Sequence, residues 1–186
     1  MTAQISDTVT IDGRCYELCG VQGEGLFDPG LFDIEIEAPG PSCFRGFICS
    51  YGVDGGRLEL ADLELWSDPT FWSLNRTRLA DLFGDSATIN GDHPKVDARG
   101  LEFPICFTGG LLIGDDFIEE LYKPMGFRPP YAYRDVLELT FESGRLLAKS
   151  DCSMAMLEVR LRQGLRNQEI PRDLLSWIDG SFGRDL

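Results

Sequence analysis

Ile48-Cys49-Ser50-Tyr51-Gly52-Val53-Asp54-Gly55-Gly56-Arg57-Leu58-Glu59-Leu60 sets two β-type runs either side of a glycine turn. The chain repeats this arrangement at Thr8–Leu18 around Asp12-Gly13, at Ala87–Val96 around Asn90-Gly91, and at Val136–Lys149 around Ser143-Gly144. A two-residue turn with positive φ at both positions matches the twist of the flanking strands, and Asp-Gly and Asn-Gly adopt it at least cost. Consecutive hairpins place neighbouring strands antiparallel. The fold class predicted is therefore α+β: a curved antiparallel meander sheet or partial β-barrel of about eight strands, covered by two or three helices.

Outward from the hairpins, Phe32-Asp33-Ile34-Glu35-Ile36-Glu37-Ala38 alternates apolar and acidic residues and reads as a strand with one wet face, ended by Pro39-Gly40-Pro41. Ser42–Tyr51 puts Cys43, Arg45, Phe47, Cys49 and Tyr51 on one side and other apolar groups on the opposite side, the pattern of a central strand. In Arg57–Trp66 the alternation of Leu58 and Leu60 resumes one step late at Leu63 and Leu65, which places a bulge near Ala61-Asp62. Leu101–Phe107 is extended, with Pro104 suited to an edge or a bend.

Helices are predicted over Ser67–Gly84, where Asp68-Pro69 caps Phe71, Leu74, Arg78 and Leu82, and after Gly114-Asp115-Asp116, where Phe117, Ile118, Leu121 and Tyr122 follow helical spacing. Residues 154–165 fit either a strand or a helix with Met154, Leu157, Leu161 and Leu165 on one stripe, and composition favours the helix. Pro171–Asp179 reads as a last helix. No linker or low-complexity tract divides the 186 residues, so a single domain, 1–186, is expected.

The net charge of −14 repels phosphate backbones and anionic membranes and attracts basic proteins, so neither nucleic acid nor a membrane is expected as a partner. Residues 153–186 hold five acids and five bases, so the surplus, 26 acids against 12 bases, lies in residues 1–152. The opening MTAQISDTVTIDG shows no basic stretch followed by an apolar run, and the expected compartment is a reducing cytoplasm in which Cys15, Cys19, Cys43, Cys49, Cys106 and Cys152 stay thiols.

Motifs for chemistry are weak. The Cys15/Cys19 and Cys43/Cys49 spacings lack the close pairs of a zinc cage, and no metal or cofactor is expected. His93, the sole histidine, sits in a turn with no nucleophile elbow in the sequence, so no catalytic residue is assigned. Gly20-Val21-Gln22-Gly23-Glu24-Gly25 and Thr108-Gly109-Gly110 resemble phosphate loops only superficially, since Glu24, Asp28, Asp115 and Asp116 would repel the ligand. Carboxylates such as Asp33/Glu35/Glu37 and Asp115/Asp116/Glu119/Glu120 leave a hydrolase with dispersed acids as a third reading of function.

The distinctive segment runs from Tyr122 to Arg134 and gathers Tyr122, Phe127, Arg128, Tyr131 and Tyr133 with three prolines. Aromatic and arginine side chains dominate binding energy at interface centres, although the same loop would serve as a lid over an open sheet end. The candidate binding residues are therefore Tyr122, Phe127, Arg128, Tyr131 and Tyr133, with the acids Asp33, Glu35 and Glu37. The leading expectation is a non-enzymatic acidic interaction protein of the inhibitor or immunity type that engages a basic protein partner. The second is a small-molecule binding module at the mouth of the curved sheet.

Overall fold

The computed structural model describes residues 2–84 and 87–164. Nine strands, β1 (Thr8–Ile11), β2 (Arg14–Glu24), β3 (Phe47–Asp54), β4 (Arg57–Trp66), β5 (Thr88–Asn90), β6 (Lys95–Pro104), β7 (Thr108–Phe117), β8 (Tyr133–Glu142) and β9 (Arg145–Asp151), form one curved sheet. Two helices, α1 (Pro69–Phe83) and α2 (Ser153–Gly164), lie against it, giving an α+β fold. The strand order is β3-β1-β2-β7-β8-β9-β4-β6-β5, and a further β3–β4 pairing closes seven of the strands into a ring.

Three turns take the form that their residues dictate. Ile11 faces Arg14, Asp54 faces Arg57 and Glu142 faces Arg145 across two-residue loops. Both loop residues have positive φ in each, 52° and 76° at Asp12-Gly13, 51° and 74° at Gly55-Gly56, and 47° and 78° at Ser143-Gly144. The β5–β6 pair is also a hairpin, but its loop is longer, with Asn90 facing Asp97. The bulge in β4 lies where the phase shift placed it, so that Leu58, Leu60, Leu63 and Leu65 all point inward.

Not every pairing is antiparallel. β1 and β3 run parallel, because residues 25–46 carry the chain back around the sheet before β3 enters in the same direction as β1. The Phe32–Ala38 segment is not a strand. A 3-10 turn, Pro29–Phe32, ends at Asp33 with φ 54°, and the residues beyond it run extended without a neighbouring strand. Their backbone partners are the Asn75 side chain and the Trp66 carbonyl, so the alternation reflects exposure and not pairing. The Ser42–Tyr51 strand likewise starts only at Phe47, after a turn.

The helix expected after Gly114 is absent as well. Asp115 and Phe117 pair with Asp135 and Tyr133 and hold the segment in β7, leaving a single 3-10 turn at Glu119–Leu121. Residues 153–164 are helical, but Met154, Leu157 and Leu161 face outward while Met156 and Val159 are buried. The helix expected at Pro171–Asp179 lies outside the described residues. Among the described residues no helix is long and apolar enough to cross a membrane.

Two apolar layers result. The ring is filled by side chains that include Tyr51, Leu58, Leu60, Phe107, Ile113 and Phe141. A second cluster, with Cys19, Leu112, Tyr131, Tyr133, Val136, Met156 and Val159, covers the other side of β2, β7 and β8. Leu18 and Cys19 face opposite layers by ordinary alternation, and the bulge between Leu18 and Gly20 shifts the phase so that Val21 returns to the ring side with Tyr16 and Leu18.

The β9–β4 closure of the ring rests on one residue pair, Arg57 with Arg145. Leu58 N–H donates to the Gly144 carbonyl and Leu146 N–H to the Gly56 carbonyl, each at 2.8 Å, while Gly144 N–H reaches the Phe107 carbonyl at 2.7 Å. A Cβ on Gly144 would stand 2.1 Å from the Ile105 carbonyl oxygen, whereas one on Gly13, at nearly the same φ, would meet nothing within 4 Å. Gly13→Ala should therefore cost only the left-handed backbone penalty of about 1–2 kcal/mol. Gly144→Ala should exceed it in urea unfolding by a further 1 kcal/mol or more, on the order of a core overpacking change, and equal losses would show that the corner does not close the ring.

Candidate interaction surface

The loop between β7 and β8 folds back over the second apolar layer, and a glycine makes room for it. Gly114, opposite Glu17 on β2, lies under the Tyr133 ring, where an added Cβ would come within 2.5 Å of the ring carbon Cγ. Tyr133 passes over this gap and its hydroxyl donates to Glu17 Oε2 at 2.7 Å. Arg128 Nη1 reaches the same carboxylate at 2.6 and 2.9 Å, with its guanidinium 4.4 Å from the Phe117 ring centre. Phe117 in turn meets Tyr133 edge-on at 5.6 Å. Arg160 of α2 donates to the Tyr131 and Tyr133 carbonyls, and Lys123 to the Tyr131 hydroxyl. Of the loop residues singled out from sequence, Arg128, Tyr131 and Tyr133 are thus anchors facing inward.

Phe127 leads to a second fastening. Its ring lies 5.4 Å from the Arg45 guanidinium, which also stacks on Phe47 at 4.9 Å. Arg45 grips Asp7 with two bonds of 2.6 and 3.0 Å, and Cys49 N–H adds a third to the Asp7 carboxylate at 2.9 Å. The Asp7 side chain is almost wholly buried. Burial opposes the charge on Arg45, but Asp7 more than offsets it and holds the guanidinium pKa above the ordinary arginine value.

Gln4 completes the frame. Its N–H donates to the Gly126 carbonyl, its side-chain amide donates to Pro41 O, and its side-chain oxygen accepts from Phe44 N–H. Three distant segments, 4–7, 41–47 and 122–128, are thereby fixed side by side. They hold Ile5, Phe44, Tyr122 and Met125 at the surface, 47%, 57%, 46% and 65% exposed. Exposed large apolar side chains held on a rigid frame are the usual raw material of a protein contact.

The acids Asp33, Glu35 and Glu37 form a strap along α1. Asn75, fully buried, donates to the Glu35 carbonyl at 2.5 Å and accepts from Glu35 N–H at 3.2 Å. Arg78 donates to the Asp33 carbonyl, and Glu37 N–H reaches the Trp66 carbonyl at 2.9 Å. Among the described residues only their backbone groups are held, and the three acidic residues are exposed. On the flank of α1 that carries Arg78, Phe71 and Leu74 are 37% and 44% exposed beside the strap, whose own Ile36 is 38% exposed. The strap adjoins the Phe44 turn at Gly46, where a Cβ would stand 2.9 Å from the Glu37 carbonyl oxygen.

Sequence reasoning missed the polar groups that hold this surface: Gln4, Asp7, Glu17 and Asn75. Two signals pointed to them. Arg45 falls in the sequence in alternation with the apolar Cys43, Phe47 and Cys49, and Asn75 stands where Leu79 marks the buried side of the helix. His93 is exposed in its turn. Among the described residues no three His, Cys, Asp or Glu side chains gather as a metal ion would need. Comparison with family models, with curated proteins and with solved structures returns no match to this chain.

Burial pushes the Cys19 thiol up, and burial together with the bond to Glu17 pushes the Tyr133 hydroxyl up. A group whose pKa is higher in the fold than in the unfolded chain stabilises below its unfolded value and loses that contribution as pH rises through it. Unfolded thiols and phenols ionise near about 8.5 and 10. Stability measured by urea melts should thus fall from about pH 8.5 upward, and Tyr133→Phe should flatten the part of the fall above about pH 10; an unchanged slope would place Tyr133 outside this linkage.

Proposed function

We propose that this protein is a non-enzymatic binding protein of the inhibitor or immunity type that engages a basic protein partner through the Asp33-Glu35-Glu37 strap and the apolar groups beside it. One observation carries the reading. Six acids of the sheet are matched locally, Asp62, Glu64 and Asp97 by Lys95 and Arg99, Asp115 and Asp135 by Arg14, and Asp116 by Arg134, and the strand acids unmatched among the described residues, such as Glu24, Asp54, Glu102 and Glu142, are dispersed, whereas the strap sets three in alternate positions of one short segment. Among the described residues no ion pair involves Asp33, Glu35 or Glu37, although Arg78 lies within reach of their backbone. A strap whose main chain is locked while its carboxylates are left to solvent is arranged to meet cations from outside.

Two other readings draw less support. The interior of the ring is filled by the core, which favours a surface over a mouth as the place of contact. The Asp115 and Asp135 carboxylates share Arg14, which holds Asp115 below the usual carboxylate range, the wrong direction for a general acid.

Pull-down with the full chain should recover a basic protein at low ionic strength and release it at about 0.5 M salt, where the Debye length shrinks to a few ångströms. Asp33→Lys, Glu35→Lys and Glu37→Lys together should weaken capture about tenfold or more while leaving the thermal melt in place. Undiminished capture by that variant would sink the reading.

A further inference from the structure

Strand β9 leaves part of its backbone open. It pairs with β8 from end to end, but it meets β4 only where Arg145 faces Arg57 and Leu146 N–H reaches the Gly56 carbonyl, and from that corner it runs on past the turn. Cys152 N–H donates to the Val136 carbonyl, so by the two-residue period Ser150 and Ala148 also turn their backbone groups to β8, while Lys149 and Asp151 turn theirs to the other side. Among the described residues no strand pairs with that side beyond Arg145. Two turns touch β9 there, one through Gly56 and one through the Lys149–Asp12 ion pair, and a Cβ added at Gly13, Gly55 or Gly56 would meet nothing within 4 Å. Every residue from Leu147 to Asp151 is exposed.

We infer that this open edge pairs with the same edge of a second copy of the chain, antiparallel about a twofold axis at Ser150. A row of open backbone donors and acceptors is matched by another extended strand, and the side chains here say whose. Lys149 and Asp151 stand two apart on one side of the strand, so the edge turned end for end matches itself. Lys149 of each copy then lies opposite Asp151 of the second copy as a bonded pair, with backbone bonds in both directions and opposite charges side by side. Moving the axis to Lys149 would instead set lysine against lysine and crowd Leu147 towards the Gly55-Gly56 turn, so charge and space select the same register. Each side chain has capacity to spare: Lys149 gives one of three donors to Asp12, and Asp151 gives one of two oxygens to Ser153 N–H. The paired stretch is short and copies of net charge −14 repel one another, so the dimer is weak, with a Kd on the order of 100 μM.

The inference does not rest on the proposed basic partner. Sedimentation of the full chain from about 10 μM to about 1 mM, at about 0.15 M salt, should show a reversible dimer. Amide exchange read residue by residue tests the edge in the unaltered protein: at about 10 μM the Lys149 and Asp151 amides should exchange at least tenfold faster than those of Ala148 and Ser150, and at about 1 mM they should slow about fivefold. Lys149→Asp and Asp151→Lys should each weaken self-association about tenfold or more, and the two variants mixed should pair with each other, because every contact across the axis is then between opposite charges. Thermal melts confirm that both variants fold. A monomer up to about 1 mM would overturn the inference, as would a dimer in which the Lys149 and Asp151 amides stay fast, or folded variants that fail to pair when mixed. Protection of those two amides at every concentration would also overturn it, by showing that residues 165–186 of the same chain cover the edge.

Discussion

The buried pair of Asp7 and Arg45 is the constraint on which the surface of this protein depends. A carboxylate taken out of water is tolerated only when its lone pairs are used, and here two guanidinium bonds and one backbone N–H occupy them. Such a pair adds little net stability compared with packed hydrocarbon, but breaking it strands a charge. It therefore acts as a register pin. The Asp7 carbonyl accepts from Leu18 N–H while its side chain holds Cys49 and Arg45, so the start of β1, the hairpin partner β2 and the entry to β3 are locked in one arrangement. The parallel β1–β3 pairing, which no local turn enforces, is stabilised by this nonlocal contact.

From that pin the rest follows outward. Arg45 offers a flat cation to Phe127, which brings the β7–β8 loop down, and the loop then sets Tyr133 across Gly114 to reach Glu17. Each step uses a polar group to orient an aromatic one. The loop is both a cover for the second apolar layer and the support of an exposed patch, because its first part carries the outward Tyr122 and Met125 and its second part the inward Arg128, Tyr131 and Tyr133, along a segment stiffened by prolines.

How much of this was legible in the sequence depends on the range of the interaction. The Asp-Gly, Gly-Gly and Ser-Gly corners are local, and the chain adopts them as their backbone preferences dictate. The β4 bulge was visible because a slip of one residue reverses every side chain after it. Phe32–Ala38 misled, because alternation records only which side chains are dry. Ile34 is dry against the core and Ile36 is half wet, yet the backbone between them bonds to an asparagine and not to a strand. Phe117–Tyr122 misled for the opposite reason: helical spacing there lost to pairing with a later segment, since Tyr133 holds Phe117 in β7 and the Ala132 carbonyl takes the Ile118 N–H. The aromatic residues of the candidate site could be found by composition, but their division into anchors and contacts depended on Glu17 and Asp7, more than a hundred residues from the loop.

Gln4 has a practical consequence. Because this residue near the start of the chain bonds to both Gly126 and Phe44, anything fused to the amino terminus emerges within a few residues of Ile5 and its exposed neighbours. A purification handle placed there lies over Ile5, Phe44, Tyr122 and Met125, and immobilisation through it turns that face towards the support.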